Sequence, residues 1–382
     1  MFLRNRDTKT GMAVLKAAAG SGNRKRRPVE RPAWFTSFTV RTTVSRRRIT
    51  KSFRLAVLPL FVGSAFYSSV EALPAATIKP DSIDGAEFSG KPPPVSKISP
   101  LSVRLQVLLA RAHFSPGEID GKFGENVKKA LRAYAEAHQL KDGGLTQEIW
   151  HGLVADDRPI LTTYRVTEKD VAGPFLSRLP RRMEDMKSIP RLDYISPREE
   201  LAERFHMSEE LLAALNPGDD FRKAGATLAV IDLGNTDRTS AAKADHVEVN
   251  KVDQTVEVFD ASNHLIDFYP ATVGSEEKPS PSGTLKVTSV DQNPTYRYNP
   301  KYHFKGVRSK SPFVIRPGPN NPVGTVWINL SAEGYGIHGT PDPGKISKAQ
   351  SHGCVRLTNW DAETTAAEVR KGTPVVFVDR HE

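Results

Sequence analysis

The last third of the chain constrains the fold most, because short runs of alternating apolar and polar residues follow one another there with turns between them. Residues 247–250 and 255–259 alternate in this way on either side of a polar stretch at 251–254, which is the pattern of a β-hairpin. The same criterion predicts further strands, and one clear helix at 361–370; these strands are 265–271, 284–290, 326–330, 335–338 and 375–378. Strands so short and so closely spaced predict a mostly-β domain over 245–380 and disfavour a parallel α/β sheet.

Residues 101–155 have a helical pattern instead. Apolar residues recur at helical spacing over 103–109 and again over 127–134, and the turn Asp120-Gly121-Lys122-Phe123-Gly124 lies between the two runs. A third short helix is predicted soon afterwards, with Thr146 as its N-cap. These observations predict a small three-helix domain, so the expected fold class is α+β with several domains.

Residues 160–235 form a middle segment with a less regular pattern. A helix is predicted over about 194–205, a second helix at 209–215 and a strand at 227–231, with an earlier strand near 163–166. The expected order is therefore strand, helix, helix, strand. The long interval between the first strand and the first helix has no assigned structure.

The formal net charge of +10 invites a nucleic-acid interpretation, but the distribution of the charge argues against it. Residues 1–72 alone carry +12, so the rest of the chain carries −2 and has no excess charge with which to neutralise phosphates. We therefore expect no nucleic-acid partner. Residues 73–100 are rich in Pro, Ser and Gly and are predicted to be a linker.

Residues 1–72 are predicted to be a basic leader that ends in a signal peptide. The apolar run 55–67 follows basic residues, has the length of a signal-peptide core and is too short to cross a bilayer comfortably. Small residues around Ala72 place the expected cleavage there. The stretch 45–51 loosely resembles a twin-arginine signal, so general secretion, twin-arginine export and an uncleaved anchor all remain open. Membrane association is expected only through this export signal.

Cys354 is the only cysteine of the chain, so an intramolecular disulfide is impossible. It stands in the run Ser351-His352-Gly353-Cys354, and His338 ends a predicted strand upstream of it. An imidazole can take the proton of a thiol, and a glycine amide beside the nucleophile can stabilise the oxyanion formed when an amide carbonyl is attacked. The alternatives are a structural cysteine and a zinc site, which would lack a second cysteine and have poorly spaced ligands.

These residues resemble the catalytic motif of the L,D-transpeptidase, or YkuD, family. The resemblance rests on His338-Gly339, on the Ser351–Cys354 run and on the arginine at position 356. It extends through the predicted β domain, where Pro281-Ser282-Gly283-Thr284 resembles a turn of the family and 316–322 resembles the loop before the catalytic strands. A mostly-β catalytic domain is the fold that this resemblance implies.

The resemblance implies that Cys354 is the nucleophile and His338 the base of a bacterial enzyme of the periplasm or cell wall. Cys354 would attack a tetrapeptide stem of peptidoglycan, release D-alanine from a thioester intermediate, and pass the acyl group to an amine of a neighbouring stem. Such cross-linking belongs to cell-wall biogenesis and the maintenance of cell shape. Oxyanion stabilisation and shaping of the site would fall to Gly353, His352 and Ser351, and substrate binding to Arg356, Gly339 and Thr340. Arg356 could equally serve the fold, and no metal or cofactor is expected.

The two upstream segments resemble wall-binding modules. The three helices with their Asp120–Gly124 turn resemble a peptidoglycan-binding domain, although Tyr134-Ala135 replaces the usual Phe-Gln of the second helix. The middle segment resembles a degenerate LysM module. Two alternatives to transpeptidation remain: hydrolysis of the same thioester by water, as in an L,D-carboxypeptidase, and a non-catalytic wall-binding protein. The sequence leaves the acceptor amine and the oligomeric state unknown.

Overall fold

The computed structural model describes residues 78–141, 143–234, 243–275, 278–302, 307–348, 351 and 353–380. The predicted leader and signal peptide, and the first residues of the predicted linker, lie outside the described residues. Among those that are described, no helix is both long and apolar enough to cross a membrane.

The helical domain consists of α1 (Asp81–Asp84), α2 (Pro100–Arg111), α3 (Glu125–Ala137) and α4 (Gln147–Leu153). Helices α2 to α4 agree with the three that the apolar spacing predicts. The predicted N-cap of α4 is confirmed, since the Thr146 hydroxyl accepts a hydrogen bond from the Ile149 amide at 3.2 Å. Ser99 caps α2 in the same way, which places the helix start at a proline that needs no amide partner.

The predicted linker is wrong from Ile78 onwards, because this stretch packs against the helical domain. Ile83 is fully buried and Phe88 is buried, and the Ile78 amide donates to the Ala214 carbonyl at 3.2 Å. Glu87 accepts a hydrogen bond from the Trp150 indole at 2.9 Å. The spacing of Ile78, Ile83 and Phe88 fits neither a helix nor a strand. The sequence pattern therefore indicates an irregular segment, although each of the three side chains is buried.

The middle segment contains β1 (Leu161–Arg165), α5 (Glu168–Ala172), α6 (Met183–Met186), α7 (Pro197–Arg204), α8 (Glu209–Leu215) and β2 (Thr227–Ile231). Strands β1 and β2 pair antiparallel, with Leu161 opposite Ile231. The predicted order of strand, helix, helix and strand is found, with residues 168–196 inserted after β1. Trp150, Leu201 and Leu228 belong to one apolar cluster, so the helical domain and the middle segment share a core. The likeness of this segment to a LysM module stays a prediction.

The C-terminal domain is mostly β, as predicted. Its elements are β3 (His246–Asn250), β4 (Thr255–Phe259), β5 (Leu265–Pro270), β6 (Thr272–Val273), β7 (Gly283–Gln292), β8 (Tyr296–Tyr298), β9 (Phe313–Ile315), β10 (Val326–Leu330), β11 (Gly336–His338), β12 (Val355–Arg356), α9 (Asn359–Glu368) and β13 (Pro374–Val378). Nine of these strands form one sheet in the order β5-β4-β3-β13-β7-β10-β11-β12-β6, and β8 pairs with β9. Two pairs are parallel, β13 with β3 and β11 with β12. The second parallel pair positions the candidate site.

The helical domain covers the edge of the sheet that β5 forms. Strand β5 is an edge strand, and the Ser115 amide donates to the Phe268 carbonyl at 2.9 Å while the Phe268 amide donates to the His113 carbonyl at 3.0 Å. The Phe268 side chain is fully buried in the cluster of the helical domain. Residues 113–115 thus continue the sheet, which protects its edge from pairing with another chain.

A partly buried carboxyl group lies at the contact between the helical domain and the catalytic domain, just before the Asp120–Gly124 turn. Glu118, just before the turn, lies close to Gly344 in the loop that follows β11, and the Asn126 side-chain amide donates to the Ile346 carbonyl at 3.3 Å. Burial, reinforced by the neighbouring Asp120 carboxylate, raises the pKa of Glu118 to about 7. This folded-state pKa lies above the unfolded value of 4.5. The favourable contribution of the protonated Glu118 carboxyl to folding is therefore fully present below about pH 4.5, and it is lost as the carboxyl ionises when the pH rises through about 7.

We expect Glu118→Gln to stabilise the protein at alkaline pH. The difference in the free energy of unfolding between variant and wild type should be small at pH 4.5 and reach about 3 kcal/mol at pH 8, from 1.36 kcal/mol per pKa unit. Urea unfolding at the two pH values measures it, with Glu148→Gln, an exposed position on α4, as the control. A difference that does not change with pH would contradict the pKa assignment.

Candidate active site

The two residues with the strongest sequence signal enter the site from neighbouring strands. Strands β11 and β12 run parallel with His338 opposite Arg356, so Cys354 stands directly before β12 and beside Gly336. The Gly336 amide donates to the Cys354 sulfur, and the thiol donates to the Gly334 carbonyl at 3.6 Å. Because side chains alternate along a strand, His338 and Cys354 project from the same side of the sheet.

An indole ring covers the other side of the histidine. Trp327 on β10 is opposite His338, and the two rings stack with 5.3 Å between centroids and 17° between planes. The Trp327 indole nitrogen donates to the Asn329 side chain at 2.6 Å, which fixes the indole ring. A Cβ atom at Gly336 would lie 2.6 Å from that ring, so no larger residue fits there. No sequence pattern places Trp327 in the site, because its position opposite His338 depends on the register of β10 and β11.

A backbone carbonyl orients His338. Its Nδ1 lies 2.7 Å from the Gly339 carbonyl oxygen, which can only accept a hydrogen bond, so Nδ1 carries the proton. The unprotonated Nε2 is then available as a base. Asp342 forms an ion pair with Lys345 at 3.1 Å, and Asp361 accepts from the Ser115 hydroxyl at 3.2 Å.

Two serines hold the turn that carries the cysteine. The Ser351 hydroxyl donates to the Cys354 carbonyl at 2.6 Å, and the Ser280 hydroxyl donates to the Gly353 carbonyl at 2.8 Å. Gly353 has a φ of 98°, and a Cβ atom there would lie 2.9 Å from the Tyr335 ring. Only glycine fits this turn without strain. Ser280, which precedes the recognised turn in sequence, was missed by the sequence analysis. His352 lies outside the described residues.

Burial keeps both reactive groups neutral. It lowers the pKa of His338 to about 3, with a smaller contribution from the positive charge of Arg356. Burial also raises the pKa of the Cys354 thiol, against weaker opposing effects of the Gly336 amide, Arg356 and Lys278. The free site therefore holds a thiol beside a neutral imidazole, and the proton moves as the sulfur attacks.

The predicted substrate-binding residues differ in whether their polar atoms already have hydrogen-bond partners within the protein. The Arg356 Nε is buried and has no hydrogen-bond partner within the described part of the chain. The Thr340 hydroxyl, by contrast, is buried and accepts from the Asp342 amide at 3.2 Å. Gly339 presents its carbonyl to His338, as described above. In the described ranges no three His, Cys, Asp or Glu side chains are arranged to hold a metal ion.

We expect kcat/KM to stay level between pH 5 and pH 8. A histidine base of ordinary pKa would lose about 30-fold in rate between pH 8 and pH 5, because below its pKa protonation removes the base tenfold per pH unit. The pKa of His338, lowered to about 3, moves that loss below this range. Initial rates of acyl transfer across the range measure the profile, and a tenfold fall per unit below pH 6.5 would contradict the assignment.

Comparisons with known proteins agree with this geometry. The family model of the YkuD L,D-transpeptidase catalytic domain matches residues 244–377, and that of a peptidoglycan binding domain matches residues 100–151. The protein named L,D-transpeptidase YkuD from Bacillus licheniformis is 27% identical over 46% of this chain and 90% of its own length. The protein named L,D-transpeptidase YqjB from Bacillus subtilis is 30% identical over 35% of this chain and 71% of its own length.

The protein named L,D-transpeptidase YbiS from Escherichia coli is 28% identical over 48% of this chain, and the match spans 60% of that relative. The range matched by the YkuD catalytic-domain model contains both His338 and Cys354. The chain therefore belongs to the L,D-transpeptidase family and contains a YkuD catalytic domain.

Proposed function

We propose that the chain is a peptidoglycan L,D-transpeptidase that acts through a thioester on Cys354. The observation that carries the proposal is the pair of adjacent parallel strands β11 and β12, which bring His338 and Cys354 together with the His338 proton held on Nδ1. A thiol beside an imidazole whose tautomer is fixed is what nucleophilic attack on an amide requires.

The proposed reaction exchanges one amide for another. As the Cys354 sulfur bonds to the carbonyl carbon of the third stem residue, the thiol proton passes to Nε2 of His338. The amides of Gly353 and Cys354 stabilise the oxyanion. The carbon–nitrogen bond then breaks, and the imidazolium gives its proton to the departing D-alanine amine. An acceptor amine attacks the thioester, loses its proton to His338, and the thiolate leaves and is protonated.

Arg356 is proposed to bind a carboxylate of the stem. Its guanidinium lies close enough to His338 and Cys354 to affect the pKa of both, and its buried Nε has no hydrogen-bond partner among the described residues. An anionic group of the substrate would supply that missing partner. The substrate would then contact Arg356 and Cys354 at once.

The remaining parts of the proposal concern location and docking. The basic leader and apolar run at 1–72 support export to the periplasm or cell wall, where peptidoglycan is found. The match to a peptidoglycan binding domain over 100–151 supports a contact between the helical domain and the glycan. Tetrapeptide stems are the proposed donors, and stem amines the proposed acceptors.

Mass spectrometry of the full chain incubated with purified disaccharide-tetrapeptide tests the proposal. A cross-linked dimer is expected, lighter than two substrates by the mass of one free D-alanine, because the exchange of one amide for another releases nothing else. Tripeptide without dimer would replace transpeptidation with L,D-carboxypeptidase activity. Absence of both products and of an acyl-enzyme mass would leave a wall-binding protein as the better description.

A further inference from the structure

The middle segment contacts the catalytic domain next to the candidate base. Its helix α7 lies against the first residues of α9, where the Glu203 carboxyl oxygen accepts from the Asn359 side-chain amide at 2.8 Å. Beside this contact, His206 stacks on Trp360 with 4.8 Å between ring centroids. A helix that precedes the catalytic domain in sequence therefore fixes a residue inside it.

The Asn359 amide group is held at both ends. Its Nδ2 donates to Glu203 and, at 3.3 Å, to the Pro319 carbonyl, while its Oδ1 accepts from the Thr325 amide at 3.2 Å. The residue is buried. These partners leave one orientation of the amide, because exchanging its oxygen and nitrogen would set donors against donors.

Asn359 in turn fixes the peptide that orients His338. A Cβ atom at Gly339 would lie 2.1 Å from the Asn359 Oδ1, and one at Gly324 would lie 2.0 Å from the same oxygen. Both glycines thus let their backbones touch the side chain. The Gly339 carbonyl is the group that holds the His338 Nδ1 at 2.7 Å. The Asn359 side chain thus packs directly on the residue whose carbonyl holds the imidazole ring.

Glu203 is suited to a structural role as an acceptor. The Tyr194 hydroxyl also donates to it, at 3.1 Å, and the Glu199 and Glu363 carboxyl groups face it. Burial and these neighbours raise the pKa of Glu203 to about 7, against the hydrogen bonds that lower it. One oxygen can accept from Asn359 and Tyr194 whether or not the other is protonated, so the contact persists across neutral pH.

We propose that Glu203 and Asn359 are positioning residues for His338, so that the middle segment forms part of the catalytic machinery. The chain of contacts runs from the Glu203 carboxyl to the Asn359 amide, from there to the Cα of Gly339, and through the Gly339 carbonyl to the imidazole. The proposal rests on the proposed function, because it assigns His338 as the base. The partners that orient metal-ligating histidines are typically worth about 10- to 100-fold in activity, and we expect an effect of the same order for a histidine base.

The test compares Glu203→Ala with Glu203→Gln. Alanine removes the acceptor, so kcat should fall about 10- to 100-fold with KM changed by less than about twofold. Glutamine keeps a carbonyl oxygen for Asn359 and Tyr194, so it should restore kcat to near the wild-type value. Glu200→Ala is the matched control, since Glu200 lies on the same helix and pairs with Arg204 on the surface. Glu203→Met preserves the side-chain volume without an acceptor and replaces the alanine variant if that one does not fold.

The ring nitrogens of His338 give a second readout that needs no substrate. In ¹⁵N NMR spectra, with the signal assigned by its loss in His338→Gln, wild type and Glu203→Gln should show the Nδ1-protonated tautomer. Glu203→Ala should show a mixture of tautomers. An unchanged tautomer in folded Glu203→Ala, or equal losses of kcat in the alanine and glutamine variants, would overturn the proposal. If wild type has the tautomer but no activity, the proposed function fails while the positioning role stands.

Discussion

Replacement of Cys354 with alanine is expected to abolish acyl transfer, lowering the rate of D-alanine release by on the order of 10⁶-fold. The sulfur forms the only covalent bond between protein and substrate in the proposed reaction. No other cysteine exists in the chain that could replace it. Oxyanion stabilisation by backbone amides would survive the change and accounts for whatever residual catalysis remains.

The variant should fold normally, which makes the result interpretable. The sulfur accepts from the Gly336 amide and donates one long hydrogen bond, at 3.6 Å, to the Gly334 carbonyl, whereas Ser280 and Ser351 hold the turn around it. Intact-protein mass spectrometry checks the nucleophile directly: wild type mixed with tetrapeptide should gain the mass of the acyl group, and Cys354→Ala should gain none. Turnover by the alanine variant above a few per cent of wild type would show that another residue is the nucleophile.

The strands of the catalytic domain could be predicted because their information is local. Alternating residues at 255–259 and 326–330 predict β4 and β10 with the observed boundaries, and Thr146 marks the start of α4. The spacing of His338 and Cys354 also identifies a candidate site without a structure. Each of these signals lies within a few residues of the element that it predicts.

The support of the site could not be predicted, since it depends on contacts between distant parts of the chain. Ser280 reaches Gly353 across 73 residues, and Glu203 reaches Asn359 across 156 residues. Nothing in the sequence around Glu203 distinguishes it from Glu199 or Glu200 on the same helix. Only the packing of α7 shows that Glu203 accepts from Asn359, whereas Glu199 accepts from Asn320 and Glu200 pairs with Arg204.

The register of short strands is a second limit. Strands β11 and β12 contribute three and two residues, too few for an alternating pattern to show which residues are neighbours. Their parallel pairing places Cys354 beside Gly336 and leaves room for the Trp327 ring on the other side. The glycine at 336 is thus explained by the site, whereas the sequence alone gives no reason for it.

Replacement of His338 with alanine is expected to be the second largest effect, lowering kcat/KM at pH 7 by on the order of 10⁴-fold or more. Because burial raises the pKa of the Cys354 thiol, little thiolate forms spontaneously and the lost base is not compensated. His352→Ala, the control on the other nearby histidine, should cost far less.

The variant should also acquire a pH dependence that wild type lacks. Without a base, only the thiolate can attack, so the rate of His338→Ala should rise tenfold per pH unit until the pH reaches the raised thiol pKa. Wild type should stay level at neutral pH, since its proton is transferred to an imidazole that is neutral throughout. D-alanine release by wild type and by His338→Ala, measured between pH 6 and pH 9, distinguishes attack assisted by the imidazole from attack by a thiolate that forms without it. A larger loss in His352→Ala, or a level profile in His338→Ala, would assign the base to His352 instead, and would break the link between Asn359, Gly339 and catalysis.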